Sequence, residues 1–254
     1  MEMIRNQLKL ALLDKQLQVG CWMSLGSHTA AEICASSGFD WVLVDMEHAP
    51  NDVPQVLHLL HAVAAYPCSV MVRAYWNDTV LIKRLLDLGV QSLLLPNVQT
   101  AEEAKRAVEA VRYPPRGVRG VSANSRSNRF GRIKDYFKQA DEEICLMVQI
   151  ETRKGLENLD AIASVDGIDG LFIGPQDLAA DLGHLGNPGH AEAREAMGET
   201  LRRIETSGKV PGILAFAEAD AKHWIGEGAR FVAVTGDSFL LARSAETVVA
   251  AFKA

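Results

Sequence analysis

The sequence is poor in the features that mark specialised chains. Its four cysteines, Cys21, Cys34, Cys68 and Cys145, stand far apart among 254 residues with no Cys-x-x-Cys pair. A thiolate zinc site or a dithiol redox motif is therefore not expected. Cys21 falls in a predicted strand and Cys145 directly abuts one, as buried free thiols do, and a reducing cytoplasm is the expected setting. Basic residues are not in excess: 26 Lys and Arg face 32 Asp and Glu, a net charge of −6. With no Lys/Arg-rich run and no aromatic stacking motif, no nucleic-acid footprint is visible, and a small-molecule partner is expected. No apolar run reaches the length that crosses a bilayer, so no membrane partner is expected. The N-terminal MEMIRNQLKLALLDKQ intersperses charges among its apolar residues and lacks a small-residue cleavage site, unlike a signal peptide. There is no Walker loop, no G-x-S-x-G elbow, and no strand–G-x-G-x-x-G–helix unit with its acidic partner.

What is present is a rhythm. Apolar residues make up 48% of the chain and the mean hydropathy is +0.02, enough for a sizeable core in one domain spanning 1–254. Short apolar runs recur at VGCWMS (19–24), WVLVD (41–45), SVMVR (69–73), SLLLP (92–96), LMVQIE (146–151), GLFIGP (170–175), PGILA (211–215) and FVAVTG (231–236). Between them lie segments of helical period at 28–36, 52–64, 79–88, 101–111, 155–164, 190–206, 217–226 and 239–252, with a further helix near 4–15. Gly38, Gly89, Gly208 and Gly228 close several of these helices. Near-continuous apolar strands require cover on both faces, hence a parallel sheet under helices. Eight equal strand–helix units favour a closed (β/α)8 TIM barrel over an open doubly wound sheet. The first helix would cap the barrel bottom, and the long interval 112–143 is expected to serve an interface or a function.

In such a barrel the chemistry gathers where the strands end. Those ends carry Asp45, Glu47 and His48 after the second strand, Arg73 after the third, Gln149 and Glu151 after the fifth, and Gly174, Pro175 and Asp177 after the sixth. Asn51 or Asp52 reads as the cap of the following helix. His58, His61, His184, His190 and His223 read as surface or packing residues. Glu151 with Asp177 offers an oxygen-only donor set suited to Mg²⁺ or Mn²⁺. The alternative is that Glu151 pairs with an arginine while Asp177 caps a helix. No lysine ends a strand, so Schiff-base chemistry has no candidate nucleophile.

The stretches FDWVLVDMEHAPND, VMVRAYWND, LLLPNVQTAEEA, RYPPRGVRGVS, VQIETRKGLENLDAI and GIDGLFIGPQDLAADLGHLGNPGH resemble, in order and spacing, the class II pyruvate aldolases related to 4-hydroxy-2-oxoheptanedioate and 2-dehydro-3-deoxyglucarate aldolases. The resemblance runs from about Gly20 to Ala251. It implies a metal-dependent barrel (Mg²⁺, Mn²⁺ or Co²⁺) that reversibly cleaves a 4-hydroxy-2-oxo acid to pyruvate and an aldehyde. It also implies a homohexamer with a C-terminal helix exchanged between subunits. By the same resemblance Glu151 and Asp177 hold the metal, and His48, hydrogen-bonded to Asp45, is the base. Arg73 contacts pyruvate, Gln149, Gly174 and Pro175 line its pocket, and Leu214 lies near the aldehyde. Glu47 has no assigned step; Arg126, Arg129 or Arg132 are candidates to meet a distal carboxylate. The chain departs from the pattern at Met46, where glycine is frequent, and in SANSRSNRF. Two rivals remain: a citrate-lyase-like lyase acting on an acyl-CoA, disfavoured by the Glu-His after the second strand and the YPP-x-G-x-RG excursion, and a catalytically silent barrel, disfavoured because every matched position is filled.

Overall fold

The computed structural model describes residues 1–253. Eight parallel strands close on themselves in chain order: β1 (Gln18–Met23), β2 (Trp41–Asp45), β3 (Ser69–Arg73), β4 (Ser92–Leu95), β5 (Cys145–Ile150), β6 (Gly170–Ile173), β7 (Val210–Leu214) and β8 (Phe231–Gly236). The expected barrel is therefore the observed fold. Its first helix α1 (Gln7–Leu13) precedes β1, and the crossovers carry α2 (His28–Ser36), α3 (Val53–Val63), α4 (Thr79–Asp87) and α5 (Ala101–Val111). The second half carries α6 (Tyr136–Gln139), a 3₁₀ turn at Ala140–Glu143, α7 (Arg153–Glu157), α8 (Leu159–Ala163), α9 (Pro175–Asp181), α10 (Ala191–Thr206), α11 (Glu218–Gly226) and α12 (Asp237–Lys253).

Two-residue alternation along each strand sorts the side chains into two cores. Trp41 and Leu43 of β2, Met71 of β3, Met147 of β5, Phe172 of β6 and Phe231 of β8 fill the barrel interior. Their neighbours Val42, Val44, Val72, Val148, Ile173 and Val232 face outward into the layer beneath the helices. Trp41 stacks on Phe231 with ring centroids 3.9 Å apart. It needs Gly20 beside it, since a Cβ there would sit 2.1 Å from the indole. Leu8 and Leu12 of α1 join the interior cluster and close the bottom, as expected. Asn6, which caps α1 by accepting from the Lys9 N–H, also donates to Ser92 Oγ at 3.0 Å, which ties the plug beneath β4.

The structure departs from the sequence pattern in several places. The segment expected to be one helix over 155–164 is two, α7 and α8, broken at Asn158, whose side-chain amide donates to Gln99 O at 2.9 Å. Helix α9, too short to show a period, begins with Pro175 at its first turn behind Gly174. The excursion 112–143 folds back beneath the barrel around Tyr113, Ile133, Tyr136 and Ala140, with Arg119 buried above the Tyr113 ring at 4.4 Å. Asp52, not Asn51, caps α3. Asp237 anchors the start of α12 by accepting from Ser24 N at 2.8 Å and Leu25 N at 3.1 Å. Beyond that anchor α12 leaves the barrel, with Leu241, Val248, Val249 and Phe252 exposed. Among the described residues no helix is long and apolar enough to cross a membrane.

Candidate active site

The alternation that buries Trp41 and Leu43 carries Asp45 to the inner rim of the barrel mouth, and the register of β2 with β3 sets it opposite Arg73. Both are almost fully buried. The guanidinium grips the carboxylate with two bonds, Nε to Oδ1 at 2.9 Å and Nη2 to Oδ2 at 2.7 Å. This fork-to-carboxylate geometry is available to arginine and not to lysine. Trp22 of β1 donates its indole N–H to Asp45 Oδ2 at 3.1 Å, and its ring lies under Arg73 at 4.9 Å. The Glu47 and His48 backbone N–H groups reach Asp45 Oδ1 at 3.0 and 3.4 Å. Burial works to raise the Asp45 carboxyl, but the bonds and charge of Arg73 outweigh it and hold the group below its ordinary range.

The remaining Arg73 nitrogen faces the mouth. Its Nη1 is 2.8 Å from Glu47 Oε2 and donates to Gln149 Oε1 at 3.4 Å. Gln149 in turn donates from Nε2 to Glu151 Oε2 at 2.6 Å, two residues further along the same inward face. The Asn97 backbone N–H, after β4, donates to Glu151 Oε1 at 2.7 Å. Gly174 is demanded by this packing, because a Cβ there would lie 2.5 Å from Glu151 Oε2. Asp177 stands in the first turn of α9, exposed, and the residue that caps that helix is Gly174. Pro175 and Leu214 line a common cavity of about 330 Å³ with Phe216 and Arg194.

Three carboxylates, Asp45, Glu47 and Glu151, therefore share one guanidinium, and the charge of Asp177 reaches Glu47 and Glu151. Burial, the Glu47 charge and the Asp177 charge raise Glu151 from 4.5 to about 7, against the opposing Asn97 hydrogen bond. Burial also raises Glu47, despite the attraction of Arg73. Glu47 Oε2 is buried without an aligned hydrogen bond. This excess of acid, a buried Glu47 oxygen whose 2.8 Å approach to Arg73 is not an aligned hydrogen bond, and an all-oxygen donor set fit a divalent cation held by Glu151 and Asp177.

Two expectations need correction. Asp45 does not hold the His48 ring: its carboxylate is occupied by Arg73, Trp22 and backbone N–H groups, and His48 touches it only through its own N–H. The exposed His48 ring has Nε2 3.9 Å from Glu47 Oε2. The second correction concerns the arginines of 126–132. Arg126 donates to Leu88 O at 2.6 Å and Ser127 N to Asp87 O at 3.1 Å, at the C-terminal end of α4. That end lies beneath the start of β4, so within one chain the segment is at the opposite end of the barrel from the mouth. Trp22 and Asn97 were not anticipated. The inward parity of β1 could have suggested Trp22, whereas Asn97 acts through a backbone N–H that carries no residue signature.

The chain is similar to known proteins along nearly its whole length. The chain is 52% identical, over 98% of its length and 94% of the relative's, to a 4-hydroxy-2-oxo-heptane-1,7-dioate aldolase of Klebsiella pneumoniae subsp. pneumoniae. It is 53% identical to a hydroxypyruvate/pyruvate aldolase of Deinococcus radiodurans, over 98% of this chain and 91% of that one. Among solved structures it superposes on an HpcH/HpaI aldolase/citrate lyase family protein from Burkholderia cenocepacia with a TM-score of 0.95 at 38% identity, covering 98% and 100% of the two chains. A family model described as HpcH/HpaI aldolase/citrate lyase matches residues 18–244. The chain belongs to the HpcH/HpaI aldolase/citrate lyase family.

Proposed function

We propose that this protein is a divalent-metal-dependent aldolase that reversibly cleaves a 4-hydroxy-2-oxo acid to pyruvate and an aldehyde. Carbon–carbon lyase chemistry follows from the named relatives, full-length aldolases above 50% identity. The observation that carries the rest is the buried Arg73, locked by Asp45 and turned toward an acid-rich mouth containing Glu151.

Glu151 and Asp177 would hold the metal, which when bound supplies Lewis acidity toward the 2-oxo acid's oxygens. Arg73, preorganised by Asp45 and Trp22, places a fixed positive charge beside the C2 oxygen, where negative charge develops as the C3–C4 bond breaks. His48 takes the proton of the C4 hydroxyl, whose oxygen becomes the aldehyde carbonyl while the C3–C4 electron pair moves into the C2–C3 bond. The exposure of His48 leaves its ring free to turn toward the substrate. A proton returned to C3 then completes pyruvate. Gly174 keeps space beside Glu151, Gln149 bridges Arg73 to Glu151, and Leu214 meets the aldehyde side. Assembly as a homohexamer with α12 exchanged is part of the same proposal, supported by the exposed apolar residues of that helix.

The test is pyruvate release from a panel of 4-hydroxy-2-oxo acids after exhaustive chelation and again after adding Mg²⁺, Mn²⁺ or Co²⁺. Cleavage restored by metal is the expected result. Full activity in chelator, or turnover confined to acyl-CoA thioesters, would overturn the proposal.

A further inference from the structure

A second cluster lies outside the acid-rich mouth, in the loop between α9 and α10. His184 Nε2 is 2.7 Å from Glu192 Oε2, and the rings of His184 and His190 stack with centroids 3.5 Å apart and planes 18° from parallel. One potential ligand atom from each of the three residues lies within 4.8 Å of the others. The loop backbone fixes this approach. His184 N donates to Ala179 O at 2.7 Å, Asn187 N to His184 O at 2.9 Å, and His190 N to Asn187 O at 3.1 Å. His190 Nδ1 accepts a long 3.3 Å bond from Glu192 N.

We propose that His184, His190 and Glu192 form a binding site for a borderline transition-metal dication such as Zn²⁺, separate from the carboxylate site. Two imidazoles and a carboxylate are a ligand set that Zn²⁺ takes with water in the fourth position, and that Mg²⁺ avoids. Bonds of roughly 2.0–2.2 Å in a tetrahedron place ligand atoms about 3.3 Å apart. The His184–Glu192 contact therefore opens by about half an ångström on metal entry, and the His190 ring turns out of its stack on His184, because each nitrogen lone pair lies in its ring plane, exchanging its long capping bond for a metal bond. The site would fasten the loop that follows α9, the helix carrying Asp177.

The experiment is calorimetric titration and equilibrium dialysis of the chelator-stripped full-length protein with Zn²⁺ and, separately, Mg²⁺. Wild type should take two equivalents of Zn²⁺ and one of Mg²⁺, and Zn²⁺ should raise Tm further than Mg²⁺. His184→Ala and Glu192→Gln should each weaken the second Zn²⁺ equivalent by more than about tenfold while leaving Mg²⁺ binding intact. Asp177→Asn should do the reverse, so failure of the carboxylate site reads separately from failure of this one. A single Zn²⁺ equivalent in wild type would overturn the inference. So would a second equivalent that survives both loop variants, or one lost instead in His28→Ala, whose ring meets His58 elsewhere on the surface.

Discussion

Replacing Asp45 by asparagine removes one charge at nearly constant volume, which isolates what the carboxylate does. Five N–H donors converge on its two oxygens: Arg73 Nε and Nη2, Trp22 Nε1, and the backbone N–H groups of Glu47 and His48. A carboxylate has acceptor capacity for this load; an amide has one oxygen and an NH₂. If the amide oxygen takes the Oδ1 position, Arg73 Nη2 and Trp22 Nε1 both face another donor. Two orphaned donors at about 1–3 kcal/mol each agree with the roughly 3–5 kcal/mol lost when a buried ion pair is broken. At about 2–4 °C per kcal/mol for a domain of this size, Tm should fall by roughly 6–20 °C. Scanning calorimetry at fixed protein concentration measures the fall, and pyruvate release measures the loss of preorganisation at Arg73. The dependence of cleavage on His48 should persist, so that adding His48→Ala slows the variant as it slows wild type, because the His48 ring is not held by Asp45. A variant with wild-type Tm in which His48→Ala has no further effect on cleavage would refute this reasoning and return Asp45 to the role of orienting the histidine.

Further outcomes follow from the same geometry. Glu151→Gln and Asp177→Asn should each weaken Mg²⁺ binding severely by calorimetry while circular dichroism stays native; unchanged affinity in both would remove them as ligands. Gly174→Ala inserts a Cβ 2.5 Å from Glu151 Oε2, so it should displace that carboxylate and destabilise by about 1–3 kcal/mol; denaturant midpoints and metal affinity report the two effects. His48→Ala should slow cleavage by roughly two to four orders of magnitude, as loss of a general base does, with metal affinity unchanged; an unaltered rate and pH profile would assign the base elsewhere. In metal-free protein Glu151 is raised by burial and by the Glu47 and Asp177 charges to about 7 from 4.5. The folded state then holds the proton more tightly than the unfolded one, so this contribution is full below about 4.5 and is lost as pH rises through about 7. Tm against pH should fall more steeply across that window in wild type than in Glu151→Gln, and identical slopes would show that Glu151 ionises normally.

Local chemistry in the sequence already determined the eight-fold alternation of strand and helix, most caps and the inward parity of each strand. Parity depends only on the two-residue repeat, so Asp45, Arg73, Gln149 and Glu151 were legible as convergent residues before any contact was known. Contacts among them were not. Asp45 binds Arg73 instead of the His48 ring because the β2–β3 register sets the two side by side and the guanidinium fork reaches both oxygens. Residues 126–132 sit at the far end of the barrel because a loop's length says nothing of its direction. The raised Glu151 carboxyl, the Gly174 contact and the meeting of His184 with His190 were likewise decided only by tertiary structure. Periodicity and capping act within a few residues along the chain, whereas ion pairing, desolvation and ligand convergence depend on distances between residues far apart in sequence, which exist only once the barrel has closed.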